Sequence, residues 1–224
     1  MLSKNKIKYI RSLELKKNRK EDGVFVAEGH KLVGDLLGHF HCRMLVATAD
    51  WLASNKDAVA DEIIEASYEE LSRASLLKTP QDVLAVFNQP QSDYTLEDIK
   101  HSLCIALDDV QDPGNLGTIL RTADALDIPV ALLEGCADPF SHKVVRSSMG
   151  AVFRSPVQQT TWQEAKEMCA RQNIPIAVTA LSDRAVDLRQ AALGIMAVVI
   201  GSEGQGVRKQ ILESAQAELI IPMQ

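Results

Sequence analysis

Residues 102–126 read SLCIALDDVQDPGNLGTILRTADAL, and this stretch decides the fold class. Its first part, SLCIALD at 102–108, is an almost continuous apolar run, which is typical of a strand buried on both faces of a sheet. Pro113 and Gly114 then predict a turn, and the residues that follow have helical periodicity. A buried strand that leads through a turn into a helix is the repeating unit of parallel α/β sheets.

Four more apolar runs follow, with helical segments among them. They are PVALLEG (129–135), IPIAVTAL (174–181), IMAVVIG (195–201) and ELIIP (218–222). This order predicts an α/β domain with a mostly parallel sheet. Ligands of such domains bind in a crevice at the carboxyl ends of the strands, so we expect the functional residues there.

The first 88 residues contain a second, smaller α/β pattern. Short apolar runs at 24–27, 43–48 and 82–87 predict strands, and SYEELSRAS at 67–75 predicts a helix that opens with a Ser cap. Residues 89–101 are polar and are the best linker candidate. The sequence therefore predicts two domains, 1–88 and 102–224, joined by the linker 89–101.

The composition is that of an ordinary globular protein. The 224 residues are 46% hydrophobic and 24% charged, which argues against wholesale disorder. No apolar run approaches the roughly 18 residues of a membrane span, and the basic N-terminus lacks the apolar region of a secretory signal. The four cysteines lie far apart, without metal-ligand spacing. We expect a reduced, cytoplasmic protein that has neither a membrane segment nor a metal site.

Positive charge is concentrated at the N-terminus, although the net charge of the chain is −6. Residues 1–20 contain eight basic side chains and one acidic side chain. Such a basic stripe can bind phosphates and release their counterions. The alternative is a solvated amphipathic helix whose buried face carries Ile7, Ile10 and Leu13. Charge alone favours this alternative.

The residues after the strand at 102–108 allow several interpretations. Spacing alone favours a plain structural role, with Asn115 as the cap of the helix and Arg121 on its solvated face. Asp108, Asp109 and Asp112 suggest Mg²⁺ ligation. No phosphate-binding Gly-Lys-Ser/Thr loop accompanies these aspartates, so a metal is the weaker interpretation.

A second polar stretch, VVIGSEGQGVRKQIL at 198–212, again combines a strand, a turn and a helix. Its glycines have the spacing G-x-x-G-x-G, which differs from the dinucleotide-binding fingerprint. Glycine permits a flat ligand to approach the backbone closely, and Glu203 would then lie at the rim of the site. A lone glycine-rich turn is weak evidence of function.

Together these stretches resemble the SpoU (TrmH) family of RNA ribose 2′-O-methyltransferases. DPGNLGTILRTA (112–123) is similar to the first motif of the family, GSEGQG (201–206) to the second, and IIPM (220–223) to the start of the third. SHKVVRSSMGAVFRSPV (141–157) is similar to the segment between them. The N-terminal residues resemble the ribosomal-protein-like substrate-binding domain of the family, although more loosely.

The resemblance implies a trefoil-knotted, SPOUT-type α/β domain, a homodimer and S-adenosylmethionine as cofactor. The substrate would be RNA, with ribosomal RNA of the 23S type favoured over transfer RNA because of the N-terminal domain. The implied catalytic residues are Asn115, Arg121 and Glu203, and the implied cofactor-binding residues are Gly201, Ile221 and Met223. The lysines ascribed to RNA binding are Lys4, Lys6, Lys8, Lys16 and Lys17.

The resemblance implies that Arg121 contacts the 2′-hydroxyl. A guanidinium gives up its proton only with difficulty and is therefore a poor base, so the route of the proton stays open. The rival hypothesis is a catalytically silent RNA-binding or ribosome-assembly protein on the same scaffold. Such a protein would not need Asn115, Arg121 and Glu203 together. In the family the third motif continues into a Ser-Leu-Asn turn and a closing helix, whereas this sequence ends at Gln224. This difference predicts that a knot-closing segment is missing.

Overall fold

The computed structural model describes residues 1–90 and 103–222. These residues form two compact units, one made of residues 1–90 with Asp138–Gly150 and the other of residues 103–137 with 151–222. The linker prediction 89–101 falls almost entirely outside the described residues, and so does Met223. The domain boundaries 1–88 and 102–224 stay a prediction.

The first unit contains a four-stranded mixed sheet. Its strands are β1 (Val24–Glu28), β2 (Cys42–Ala47), β3 (Glu62–Glu65) and β4 (Val83–Asn88), in the order β1-β4-β2-β3. β4 is antiparallel to both of its neighbours, and β2 and β3 are parallel. β1 and all but the last residue of β4 are buried, as their almost continuous apolar sequence predicts.

Six helices belong to this unit. They are α1 (Lys4–Ser12), α2 (Lys16–Asp22), α3 (His30–Leu37), α4 (Ala49–Ser54), α5 (Tyr68–Ala74) and α7 (His142–Ser147). Ile7, Ile10 and Leu13 are buried, which confirms the amphipathic pattern of the N-terminus. Ser67 and Glu70 form the capping box of α5 that the sequence predicts.

The basic N-terminal stretch folds as two helices because its own side chains satisfy the carbonyl groups between them. Arg19 donates hydrogen bonds to the carbonyls of Leu13 (2.7 Å) and Glu14 (2.6 Å), and it pairs with Asp138 at 2.5 Å. Its side chain is only 4% exposed. Arg19 is therefore one of the eight basic residues of the N-terminal sequence, but it does not contribute to the charge of the surface.

The segment Asp138–Gly150 contributes a second buried contact to the first unit. Glu28 accepts hydrogen bonds from Ser75 and from the amide of Leu76 (2.8 Å), and Nε2 of His142 lies 3.3 Å from its carboxylate. Burial raises the pKa of Glu28 and lowers that of His142 to about 4. His142 is consequently neutral near pH 7, so its contact with Glu28 is not an ion pair at that pH.

The second unit contains a seven-stranded sheet. Its strands are β5 (Cys104–Leu107), β6 (Val130–Leu132), β7 (Val157–Gln159), β8 (Ile176–Thr179), β9 (Val186–Asp187), β10 (Ala197–Ile200) and β11 (Ala217–Ile220). Every neighbouring pair is parallel. The five strands expected from apolar runs are present, and β7 and β9 are additional. The helices of this unit are α6 (Pro113–Ala125), α8 (Ala151–Arg154), α9 (Trp162–Gln172) and α10 (Lys209–Leu212).

The strand order β7-β6-β5-β10-β8-β11-β9 has two consequences. The chain proceeds outward from β5 through β6 to β7, and the later strands lie on the other side of β5, so the topological switch point falls between β5 and β10. In addition, β11 pairs with both β8 and β9, which are consecutive in the chain. The last strand is thus inserted between two strands that were already connected, which is unusual and is expected of a threaded chain.

None of the helices in the described ranges combines the length and the apolar character needed to cross a membrane.

Candidate active site

The switch point between β5 and β10 holds a cleft of about 450 Å³. One side is formed by the loop 109–112 after β5 and by the first turns of α6. The other side is formed by the last residue of β10, Ile200, and by residues 201–205, which follow it. Both polar stretches singled out in the sequence therefore line the same cleft, at the carboxyl ends of their strands, where α/β sheets bind ligands.

The N-terminus of α6 is organised by Asp112 rather than by Asn115. Asp112 is the N-cap, and its Oδ1 accepts a hydrogen bond from the amide of Asn115 at 2.8 Å. Pro113 occupies the first helical position, where its missing N–H costs nothing. The interpretation of Asn115 as the cap is thus wrong, because Asp112 already fills that role. This leaves the side chain of Asn115 free for another contact.

Asn115 and Glu203 form the central contact of the cleft. Nδ2 of Asn115 donates a hydrogen bond to Oε1 of Glu203 at 2.6 Å, across 88 positions of sequence. A carboxylate acceptor makes such a bond stronger than one between neutral groups. The amide dipole of Asn115 orients Glu203, which itself is exposed to the cleft.

Arg121 lies on α6 but apart from this pair. It is six residues beyond Asn115, which corresponds to about 9 Å along a helix. Its side chain is exposed, and within the described part of the chain it forms no hydrogen bond or ion pair. The structure therefore unites Asn115 with Glu203 and leaves the guanidinium of Arg121 available to a ligand.

The turn after β10 depends on a close backbone approach at Gly201. A Cβ atom at this position would lie 2.1 Å from the carbonyl carbon of Gly206, so only glycine fits. The amide of Gly206 donates to the carbonyl of Ser202 at 2.9 Å, and Gly206 has φ of +69°, which glycine adopts without strain. The turn is consequently tight, and it presents Glu203 at its tip.

A second cleft of about 720 Å³ lies on the other side of the same turn. Residues 200–205 border both clefts. The second cleft is lined in addition by the segment Thr179–Ser182, by the end of β11 and by Ile221, which follows that strand. Gly201 and Ile221, two of the expected cofactor residues, thus line one cleft. The third, Met223, lies outside the described residues.

The three aspartates considered for Mg²⁺ are engaged in three different contacts. Asp108 is fully buried and pairs with Arg208, while Oδ1 of Asp109 accepts a hydrogen bond from Gln111 at 2.9 Å. Asp112 caps α6 as described above. Each of the three carboxylates thus has a partner within the protein, and these contacts account for their positions without a metal ion.

Sequence reasoning missed Arg208, although a signal was present. Nε of Arg208 lies 2.6 Å from Oδ1 of Asp108, and Nη2 lies 2.8 Å from Oε2 of Glu134. Burial alone would raise the pKa of Glu134, but hydrogen bonds from Arg208 and from the amide of Trp162 outweigh it and lower that pKa. A buried aspartate needs a cationic or hydrogen-bonding partner. The position of Asp108 at the end of a buried strand therefore indicated that such a partner exists, although not which residue it is.

The lysines ascribed to RNA binding differ in their surroundings. Lys4, Lys8, Lys16 and Lys17 are exposed. Lys6 is half-buried and pairs with Glu62 of β3. The structure thus leaves four of the five lysines available to an external partner.

Comparison with protein families gives two matches that together span most of the chain. Residues 102–224 match the SpoU rRNA Methylase family, and residues 4–85 match the MRM3-like substrate binding domain. The first match contains all the elements that line the two clefts. The second covers most of the first unit.

Individual relatives give the same result. The chain is 30% identical over 220 residues to the 23S rRNA (guanosine(2553)-2′-O)-methyltransferase RlmP of Bacillus subtilis. The aligned region covers 97% of this chain and 87% of that protein. It is 34% identical over 152 residues to the human mitochondrial rRNA methyltransferase 3, across 62% of this chain and 36% of that protein. A solved structure of an AdoMet-bound rRNA methyltransferase from Sinorhizobium meliloti superimposes with a TM-score of 0.86 and 31% identity, covering 100% of this chain and 88% of that one.

Proposed function

Because the chain belongs to the SpoU rRNA methylase family, we propose that it transfers the methyl group of S-adenosylmethionine to a ribose 2′-hydroxyl of ribosomal RNA. The observation that carries the proposal is the hydrogen bond between Asn115 and Glu203, which joins two of the family's motifs at the switch point of the sheet. A catalytically silent RNA-binding scaffold would have no use for this contact together with an exposed Arg121 on the same helix.

The cleft of 720 Å³ suits the cofactor. Its volume lies within the range of about 300–1,000 Å³ that is usual for small-molecule sites. Leu181, Ile220 and Ile221 give it an apolar wall, and the backbone of the turn at Gly201 gives it hydrogen-bonding groups without side chains in the way. We assign Gly201 and Ile221 to cofactor binding, with Met223 as the third member. When bound, S-adenosylmethionine supplies an electrophilic methyl group on a positively charged sulfur.

The residues of this chain have to align the ribose and stabilise its developing negative charge. Arg121 is assigned the contact with the 2′-oxygen, since a guanidinium remains protonated and stabilises an alkoxide better than it accepts a proton. Asn115 fixes the orientation of Glu203, and Glu203 borders both clefts, so that it can hold the substrate in line with the cofactor.

Three finer assignments belong to the proposal. The substrate is RNA of the 23S ribosomal type rather than transfer RNA, in keeping with the named activity of the relative from B. subtilis. The protein is a homodimer, and it acts in the cytoplasm. The last two assignments rest on the family resemblance.

The test is the transfer of a labelled methyl group to in vitro-transcribed 23S rRNA, with a transfer RNA transcript as the matched control. Mapping of the ribose methylation then identifies the nucleotide. Calorimetric titration with S-adenosylmethionine separates the two hypotheses further, because a silent scaffold need not bind it. Binding without transfer to any RNA would contradict the proposal, and so would the absence of binding.

The Asn115–Glu203 contact gives a first prediction. Asn115→Asp should lower kcat/KM at least tenfold, because it places a second carboxylate 2.6 Å from that of Glu203. Combining N115D with E203Q restores a hydrogen bond with donor and acceptor exchanged, and should recover part of this loss. Steady-state kinetics of the two single variants and the double variant measure the coupling. Independent, multiplicative effects would mean that the contact has no role in the reaction.

The exposed N-terminal lysines give a second prediction. Each lysine that contacts a phosphate should contribute about one unit to the slope of log affinity against log salt. Replacing Lys4 and Lys8 by glutamine should therefore reduce that slope by about two units without changing the affinity for S-adenosylmethionine. Replacing Lys31 and Lys56, which are also exposed and lie elsewhere in the same unit, is the matched control and should leave the slope unchanged. Equal slopes for both double variants would show that the N-terminal lysines do not contact RNA and form only a solvated helix face.

A further inference from the structure

Asp108 is bonded to both ends of the turn that carries Glu203. Its backbone amide donates to the carbonyl of Ile200, immediately before the turn, at 2.9 Å. Its carboxylate accepts from Arg208, immediately after the turn, through the backbone amide (2.9 Å) and through Nε (2.6 Å). One fully buried residue thus closes the segment 201–207 at its base.

Arg208 connects this closure to the neighbouring strand. Its Nη2 donates to Glu134, which follows β6 and also accepts from the amide of Trp162 at the start of α9. The guanidinium therefore spans two carboxylates, one fully buried and one 45% exposed. A planar fork can satisfy both in fixed directions, which an ammonium group cannot do.

Asp108 also begins the loop that leads to Asn115. The next residue, Asp109, has φ of +57°, and a Cβ atom at Gly135 would lie 2.2 Å from its Oδ1, so the course of the loop is tightly constrained. The loop ends at Asp112, the cap of α6. The two polar stretches that meet at the Asn115–Glu203 bond are therefore fixed to one another at Asp108.

We propose that Asp108 and Arg208 are a positioning pair, which sets the turn 201–207 against α6 so that Glu203 meets Asn115 and Gly201 faces the cofactor cleft. The inference rests on the proposed methyl transfer. A buried ion pair contributes little net stability compared with apolar packing, because removing both charges from water offsets their attraction. The pair therefore matters for the site because it fixes the position of the turn, and not because it stabilises the fold.

The pair is best tested at Arg208, since its side chain is 35% exposed and its replacement leaves the fold with less strain than a change at Asp108. Arg208→Lys keeps the charge but loses the fork, so it should lower kcat and the affinity for S-adenosylmethionine each about tenfold. Lys209→Ala is the matched control, because it removes the neighbouring cation, which is 88% exposed and pairs with Glu213, and it should change both kcat and the affinity by less than threefold.

Two readouts distinguish positioning from a general structural role. In the E203Q background and with saturating S-adenosylmethionine, R208K should lower the single-turnover rate less than threefold, because at full occupancy of the cofactor site the pair affects the rate through Glu203. In the protein without cofactor, R208K should raise hydrogen exchange at the amide of Gly206 at least tenfold, while K209A should not. A tenfold loss of rate that persists in the E203Q background would overturn the inference, and so would unchanged exchange at Gly206.

Failure of the proposed function would look different. In that case the unaltered chain would neither bind S-adenosylmethionine nor methylate RNA, and the kinetic part of the inference would fall with it. Exchange at Gly206 would still decide whether Asp108 and Arg208 fix the turn.

Discussion

Replacement of Arg121 by alanine is expected to lower the rate of methyl transfer by about 10²–10³-fold, the loss typical of removing one preorganised donor from a developing oxyanion. The fold should be unaffected, because the side chain is exposed and forms no hydrogen bond or ion pair with any described residue. Binding of S-adenosylmethionine should also be unaffected, since Arg121 does not border the larger cleft. Single-turnover transfer to RNA and calorimetry measure the two effects separately.

Two further variants make this prediction specific. Arg121→Lys retains a positive charge but not the planar fork, so it should recover little of the lost rate. Lys166→Ala removes one exposed cation from α9 of the same unit and should leave the rate unchanged. Near-normal turnover of the Arg121→Ala variant would show that Arg121 has no role in the mechanism. A different residue would then have to contact the 2′-oxygen.

The sequence predicts the strands of the second unit well where burial is nearly complete. β5, β6 and β10 are apolar along their whole length, and β8 is apolar except for its last residue, Thr179, so their identification needs no knowledge of their neighbours. β9 is different, because it contains only Val186 and Asp187 within a polar stretch and exists through pairing with β11. Such edge pairing is non-local, so no local pattern indicates it.

The helix cap shows how a local pattern can be misread. Asp and Asn are both good caps, and both occur at the start of α6. The proline at 113 decides between them, because proline is favoured at the first helical position and therefore selects Asp112. The error had a consequence for the site, since a capping Asn115 would have its side chain turned back to the helix N-terminus instead of extended towards Glu203.

The sequence indicates the partner of Glu203, which is Asn115, but not the partner of Asp108, which is Arg208. The motif resemblance places Asn115 and Glu203 in one site, although 88 positions separate them. The pairing of Asp108 with Arg208 spans 100 positions and belongs to none of the residues assigned from the resemblance. Only the parallel register of β5 with β10 brings these two residues together.

Gly201→Ala is expected to abolish measurable binding of S-adenosylmethionine. The added Cβ would lie 2.1 Å from the carbonyl carbon of Gly206, 2.2 Å from its oxygen and 2.3 Å from the amide nitrogen of Val207. These are backbone atoms of a closed turn, so no side-chain rotation relieves the overlap. The turn has to open, which breaks the hydrogen bond from Gly206 to Ser202 and displaces the common wall of both clefts.

Gly194→Ala is the matched control for this prediction. Gly194 lies in the same unit but lines neither cleft, and its added Cβ would have no atom within 4 Å, so both cofactor affinity and stability should stay close to those of the unaltered chain. Overpacking at Gly201 should in contrast cost about 1–3 kcal/mol of unfolding free energy. Calorimetry measures the affinity of each variant, and denaturant unfolding measures its stability. If both alanine variants bound S-adenosylmethionine equally well, the tight turn at Gly201 would not form the cofactor site, and the assignment of the larger cleft would be wrong.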